Sequence, residues 1–244
     1  MLVYDMHSHL YEYGVRGVEE VLSRDKSLVV VAVSDDPESV MATFELAGVF
    51  DRVVPCAGFH PWNLAEGGLE AARESLRLAY RLDAPCIGEV GLDRRFVDEY
   101  TWGLQLSIFR EFLGLAREMG VMLNIHSPDA WNVVAGMLMQ EGPVKAMLHW
   151  YTGPLPLVWS LGEAGVKVSI NAALRVQKKS MRVAVEAPLD HVVFESDGPY
   201  EYRGLKLSPV MVRESIRMVA DARGLSFEEV AEAARLNSER LLHP

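Results

Sequence analysis

Eight short runs rich in β-branched residues recur along this chain at a nearly even interval, and no other feature restricts its folding so tightly. They read LVYDM, SLVVVAVS, RVVPCAG, CIGEVG, VMLNIHS, KAMLHW, KVSINA and HVVFES. Over 244 residues that is one run about every 30 residues, the length of a strand–helix unit. Amphipathic helical patterns fill the intervals. From Thr101 to Gly120, the residues Leu104, Ile108, Phe112, Leu115 and Met119 return at steps of four and three, marking one apolar helical face. Gly120 stands where that helix must stop before the next strand, and Gly142 and Gly165 hold matching places.

Strands alternating with helices imply a parallel sheet. Periodicity alone also admits a doubly wound open sheet, but eight units favour an α/β fold of the closed (β/α)8 TIM-barrel type. A further helix is expected after the eighth unit, from Ser226 to about Leu242, with Ser226 and Glu229 at capping-box spacing. No linker, low-complexity stretch or charge block divides the chain, so residues 1–244 read as a single domain. No apolar run reaches the roughly 18 residues of a membrane helix. The N-terminus lacks the basic, apolar and cleavage regions of a leader, and a cytoplasmic location is expected. Cys56 and Cys86 lie in apolar runs without CxxC spacing and are expected to be buried free thiols.

In barrels of this kind the chemistry sits at the C-terminal ends of the strands. The polar residues at those ends are His7 and His9 on strand 1, His60 after strand 3, Glu89 on strand 4, His126 on strand 5, His149 on strand 6 and Asp197 after strand 8. Residues two apart on a strand face the same side, which suits the His7–His9 pair to chelation. A single histidine at a strand end is more often structural. Here five of seven collect at one end, while His191 begins strand 8 at the opposite end and His243 lies in the tail. His7, His9, His126 and His149 with Glu89 and Asp197 make a mixed nitrogen and oxygen set suited to Zn, Mn or a similar divalent ion. The set exceeds what one tetrahedral ion with an open position needs. Two ions sharing Glu89, which is central in the strand order, are the economical arrangement. Two such ions about 3.5–4 Å apart can activate a water and clamp a phosphoryl group. Asp197 could accept the water's proton and pass it to a leaving group.

With those residues assembled, the sequence resembles the TatD-related metal-dependent hydrolases, a branch of the amidohydrolase superfamily. The resemblance is carried by YDMHSHL, GFHPWN, GEVGLD, IHSPDA, LHWYTG and ESDGPY, and by the helix from Gln105 to Phe109 with Leu115 and Ala116 following, all in the family's order. It implies that His7, His9, Glu89 and Asp197 hold a first metal, Zn, Mn or Mg, and that Glu89 bridges to a second completed by His126 and His149. It makes His60 a substrate or outer contact and Asp197 with Glu89 the catalytic carboxylates. It also implies metal-dependent hydrolysis of DNA. Two departures bear on the substrate. Pro128 stands where many relatives carry arginine, and Leu207 where many carry asparagine, both near the expected mouth.

A net charge of −10 gives no global attraction to nucleic acid. A cationic rim is therefore expected from loops that follow strands: Arg94 and Arg95 after strand 4, Arg175, Lys178 and Lys179 after strand 7, Arg203 and Lys206 after strand 8. The leading reading is a dinuclear deoxyribonuclease or other phosphodiesterase, with DNA as its partner and no membrane. The alternative is a small-molecule hydrolase of an amide, lactone or phosphoester. A non-catalytic metal-binding barrel ranks third. Glu89 in place of a strand-4 lysine argues against a carboxylated-lysine site. The sequence assigns no oligomeric state.

Overall fold

The computed structural model describes residues 1–64, 68–142 and 144–243. All eight runs are strands: β1 (Val3–Ser8), β2 (Leu28–Ala32), β3 (Val53–Ala57), β4 (Cys86–Gly91), β5 (Met122–His126), β6 (Ala146–Leu148), β7 (Lys167–Asn171) and β8 (Val192–Glu195). They pair in parallel in chain order from β1 to β8. Helices α1 (Gly14–Arg24), α2 (Pro37–Val49), α3 (Gly68–Arg81), α4 (Trp102–Met119), α5 (Trp131–Glu141), α6 (Leu155–Glu163), α7 (Lys178–Glu186) and α8 (Val212–Arg223) follow strands β1 to β8 in turn. A short hairpin, β9 (Glu201–Tyr202) with β10 (Leu205–Lys206), rises between β8 and α8. The rival open sheet is thereby excluded, and the fold is a nearly closed barrel. Among the described residues no helix is long and apolar enough to cross a membrane.

The strands are buried on both faces, which is why their sequences run apolar rather than alternating. Tyr4, Met6, Val31, Met122, Met147 and Val193 form one cluster, and α9 (Phe227–Leu242) adds Leu241 to it. Ser226 and Glu229 cap α9 reciprocally as the sequence predicts, and Asn237 Nδ2 donates to the Val192 carbonyl at 2.8 Å. The extra helix thus closes the end of the barrel opposite the strand C-termini.

Two expectations are corrected. Cys56 and Cys86 are disulfide-bonded, not free. They face each other in register on β3 and β4 with Cα atoms 4.4 Å apart, within disulfide reach; their separation of 30 residues conceals this adjacency. On α4 the buried face is Gln105, Ile108, Phe109, Phe112, Leu113 and Ala116, while Leu104 is exposed. Two overlapping apolar stripes share Ile108 and Phe112. Gln105 selects between them, because its Oε1 accepts the Asp93 N–H at 2.7 Å.

The ladder falters at three places, and each serves the C-terminal mouth. The β1–β2 register shifts between Asp5 and Ser8, and the β4–β5 register between Ile87 and Val90, around His7 and Glu89. Such irregularities re-aim side chains. Between β8 and β1 no ladder is present among the described residues. That seam is joined by Asp197 N–H donating to the His7 carbonyl at 2.9 Å and by Ser196 N–H and Oγ donating to the Asp5 carboxylate. Gly91 packs as closely. Its φ is +150°, and a β-carbon there would lie 2.0 Å from the His126 carbonyl oxygen. Gly91→Ala should lower stability by about 2 kcal/mol or more, read as a shift in the urea midpoint with an unchanged slope.

Candidate metal centre

Four donor atoms meet at the seam of the barrel mouth. His7 Nε2 and His9 Nε2 lie 3.4 Å apart. Glu89 Oε2 lies 3.4 and 3.5 Å from them, and Asp197 Oδ1 3.4 and 3.3 Å. An ion about 2.1 Å from tetrahedral ligands spaces them about 3.4 Å apart, so His7, His9 and Glu89 could hold one divalent cation, with Asp197 at the same spacing from both imidazoles.

The other oxygen of the same carboxylate serves a second group. Glu89 Oε1 lies 2.8 Å from His126 Nδ1, 2.9 Å from His149 Nε2 and 3.4 Å from His60 Nε2. His126 Nδ1 lies 3.1 Å from His149 Nε2 and 3.3 Å from His60 Nε2. These nitrogens and one oxygen could hold a second cation, slightly more tightly spaced. The six residues expected to bind metal are thus brought together. His60, expected to be an outer contact, reaches the second group as closely as a ligand would.

Outer partners fix which ring nitrogen faces the centre. Asn124 Nδ2 donates to the Met6 carbonyl at 2.7 Å, so its Oδ1, 2.8 Å from His7 Nδ1, accepts a proton there. His7 Nε2 is left with its lone pair inward. Asp93 Oδ2 lies 2.7 Å from His126 Nε2 and accepts the Trp62 indole N–H at 2.7 Å. Asp93 Oδ1 accepts the Arg95 and Phe96 backbone N–H groups. Asp35 Oδ2 lies 3.1 Å from His9 Nδ1 and accepts the Tyr11 hydroxyl at 2.7 Å. Glu195 Oε1, 3.7 Å from His149 Nδ1, is too far to bond it. Such partners raise ligand basicity and hold ring orientation. Sequence reasoning assigned none of these four. Asp35 follows strand 2 and obeys the same strand-end rule, Asp93 and Glu195 sit inside the quoted motifs, and Asn124 stands two residues before His126 on one strand.

The group is strongly anionic, and its protons show it. Burial opposes charge on His7, yet Glu89 and Asp197 raise its pKa well above the ordinary value. Burial and the nearby His7 oppose charge on His149, yet Glu89 and Glu195 raise it to about 9. Burial would raise the Glu89 carboxyl, but His149, His60 and His7 hold it well below the usual range. Without metal, His7, His9 and His149, whose pKa values are all raised, supply positive charge that the carboxylates require.

The centre opens on a cavity of about 380 Å³. Its walls include Trp62, Phe96, Trp131, Trp150, Tyr200 and Tyr202. The expected cationic rim is not what lines it. Arg94 stacks over Trp102, 4.1 Å from the ring centroid. Arg175 pairs with Glu214 at 2.6 Å, and Arg203 reaches the Val176 carbonyl at 3.3 Å. Arg95 alone among the described arginines and lysines lines the cavity. Loops after neighbouring strands share a barrel face, but Trp102 and Glu214 on helices draw Arg94 and Arg175 aside. Pro128 lines the mouth as expected, whereas Leu207 is buried beneath the hairpin with Ala172 and Ala173.

The family model for "TatD related DNase" matches residues 4–243. The chain belongs to this family. It is 27% identical over 252 residues to the Bacillus subtilis "uncharacterized metal-dependent hydrolase YabD", covering 98% of each chain. It is 27% identical over 260 residues to human "deoxyribonuclease TATDN3", covering 97% of this chain and 93% of the relative. The crystal structure of the Escherichia coli TatD homologue YJJV superposes with a TM-score of 0.83 at 22% identity, over 98% of this chain and 97% of that one. This TatD-related chain is thus a metal-dependent hydrolase of the amidohydrolase superfamily with buried His/Glu clusters suited to metal.

Two outcomes follow for the TatD-type centre. Asp93→Asn, which removes the charged partner of His126, should weaken metal binding at the His126 group about 10–100-fold, measured by competitive chelator titration. A cation entering beside His149 must displace a proton held up to about pH 9. Affinity should therefore climb with pH, by up to about tenfold per unit for each proton displaced, and level off above that value. Calorimetry in buffers of different ionisation enthalpy counts the protons released.

Proposed function

We propose that this chain is a divalent-metal-dependent phosphodiesterase acting on DNA. The observation that carries the reading is the shared carboxylate: Glu89 offers one oxygen to each of two donor groups at the floor of one cavity. In this reading His7, His9, Glu89 and Asp197 hold one ion, and Glu89, His126 and His149 hold the other, with His60 beside it. When bound, the ions would supply Lewis acidity and lower the pKa of a water at the floor of the cavity.

The chain's own residues do the rest. Asp197 Oδ1 faces His7 and His9, and no hydrogen bond to its Oδ2 is present among the described residues. Burial alone would raise this carboxyl, but His7 and His9 hold it low, so it is ionised and free to take a proton at Oδ2. The aromatic walls suit a substrate with unstacked bases, because any base offers a face to an indole or phenol ring. The human relative named a deoxyribonuclease supports the same substrate class. The second reading, a small-molecule ester, amide or lactone, is favoured by the mouth's sparse positive charge, Arg95 being its one lining cation among the described residues.

Incubating the protein with end-labelled single-stranded DNA beside a panel of small esters, amides and lactones, each with Mg, Mn or Zn, separates the two. Cleavage of DNA and not of the panel is expected. Asp197→Asn should lower kcat about 10²–10⁴-fold, with metal content largely retained. Full activity of that variant would remove Asp197 from its role.

A further inference from the structure

Arg95 does not stand free at the mouth. Its Nε donates to Asp129 Oδ2 at 2.8 Å and its Nη2 to Asp129 Oδ1 at 2.7 Å, a bidentate pair. Nη1 has no acceptor among the described residues. The guanidinium carbon lies 5.6 Å from the Trp131 ring centroid and 5.7 Å from that of Phe96, two rings of the same cavity wall. The Arg95 backbone N–H donates to Asp93, whose other oxygen meets His126. The cation is thus seated by packing and tied to the metal centre, while one edge of its fork is closed by a neighbour's carboxylate.

We propose that Arg95 and Asp129 form a filter at the cavity mouth that admits a terminal phosphomonoester of the substrate in preference to an internal phosphodiester. The inference rests on the phosphodiesterase reading. Asp129 carries one negative charge and already occupies the bidentate edge. An internal phosphodiester also carries one, and gains little by replacing it. A terminal phosphomonoester carries about −1.5 to −2 charges near neutral pH and three acceptor oxygens. It can engage Nη1 and then take the edge from Asp129. The displaced carboxylate has Lys179 near enough to help hold its charge. The cavity's other anionic lining groups, Glu12 and Asp35 among them, leave Arg95 as the place where a substrate's free phosphate can settle.

A mutant cycle tests this on the full-length, metal-loaded protein. Inorganic phosphate is titrated calorimetrically into the wild type, Asp129→Asn, Arg95→Met and the double variant. Asparagine is the appropriate replacement because position 129 has φ of 56°, which asparagine tolerates. Asp129→Asn should bind phosphate roughly fivefold more tightly by uncovering the cation. Arg95→Met should bind it more weakly, and the double variant should match Arg95→Met. In a second arm, dinucleotides with and without a terminal phosphate are compared. The wild type should favour the phosphorylated form through KM, Arg95→Met should lose that preference, and Asp129→Asn should strengthen it. An Asp129→Asn affinity equal to wild type, or a preference that survives Arg95→Met, overturns the filter. A protein that cleaves neither dinucleotide overturns the phosphodiesterase reading instead, and the phosphate cycle alone then decides the filter.

Discussion

The structure turns on one buried carboxylate. Glu89 is 1% exposed and faces two sets of imidazoles, one through each oxygen. A buried anion without compensating positive charge is costly, so whatever neutralises Glu89 organises everything around it. In the metal-free chain, His7, His9 and His149, with pKa values raised by the surrounding carboxylates, serve. Divalent cations would serve better, since His7, His9 and Glu89 already stand at the spacing of an ion's ligands. The barrel exists, from this viewpoint, to bring residues from five strand ends and a loop to that carboxylate. The register shifts on β1 and β4 occur where His7 and the carboxylate must be aimed.

The fold was legible because parallel strands buried on both faces leave continuous apolar runs, and eight of them at even spacing leave few topologies open. The ligand types were legible for a related reason: strand ends are fixed by the same runs, so polar residues just beyond them declare the active face. What sequence could not supply was pairing across the chain. Cys56 and Cys86 bond because β3 and β4 are in register, which no spacing rule reveals. Gln105, outside the apolar stripe that the spacing marked, lies on the buried face of α4 and anchors the Asp93 loop. The arginines were placed on the correct face but not in the correct direction, because Trp102 and Glu214 claim Arg94 and Arg175.

Those redirected arginines change the picture of the mouth. An acidic protein was expected to collect a phosphate chain with a ring of positive charge. Instead, aromatic surface dominates the approach, and Arg95, the one lining cation among the described residues, is held by Asp129. Recognition at such a site depends more on stacking, on the metal centre and on one charged contact than on long-range attraction. In the proposed role on DNA, the salt dependence of binding should accordingly be shallow.

The most direct test of the shared carboxylate is metal stoichiometry at equilibrium, by elemental analysis after chelator stripping, reloading and desalting, for the wild type, Glu89→Gln and His149→Ala. Glutamine keeps the shape of Glu89 but removes the charge that both donor sets depend on. About two ions per chain are expected in the wild type, about one in His149→Ala, and loss of both in Glu89→Gln. Two ions retained by a folded Glu89→Gln variant would contradict a shared carboxylate.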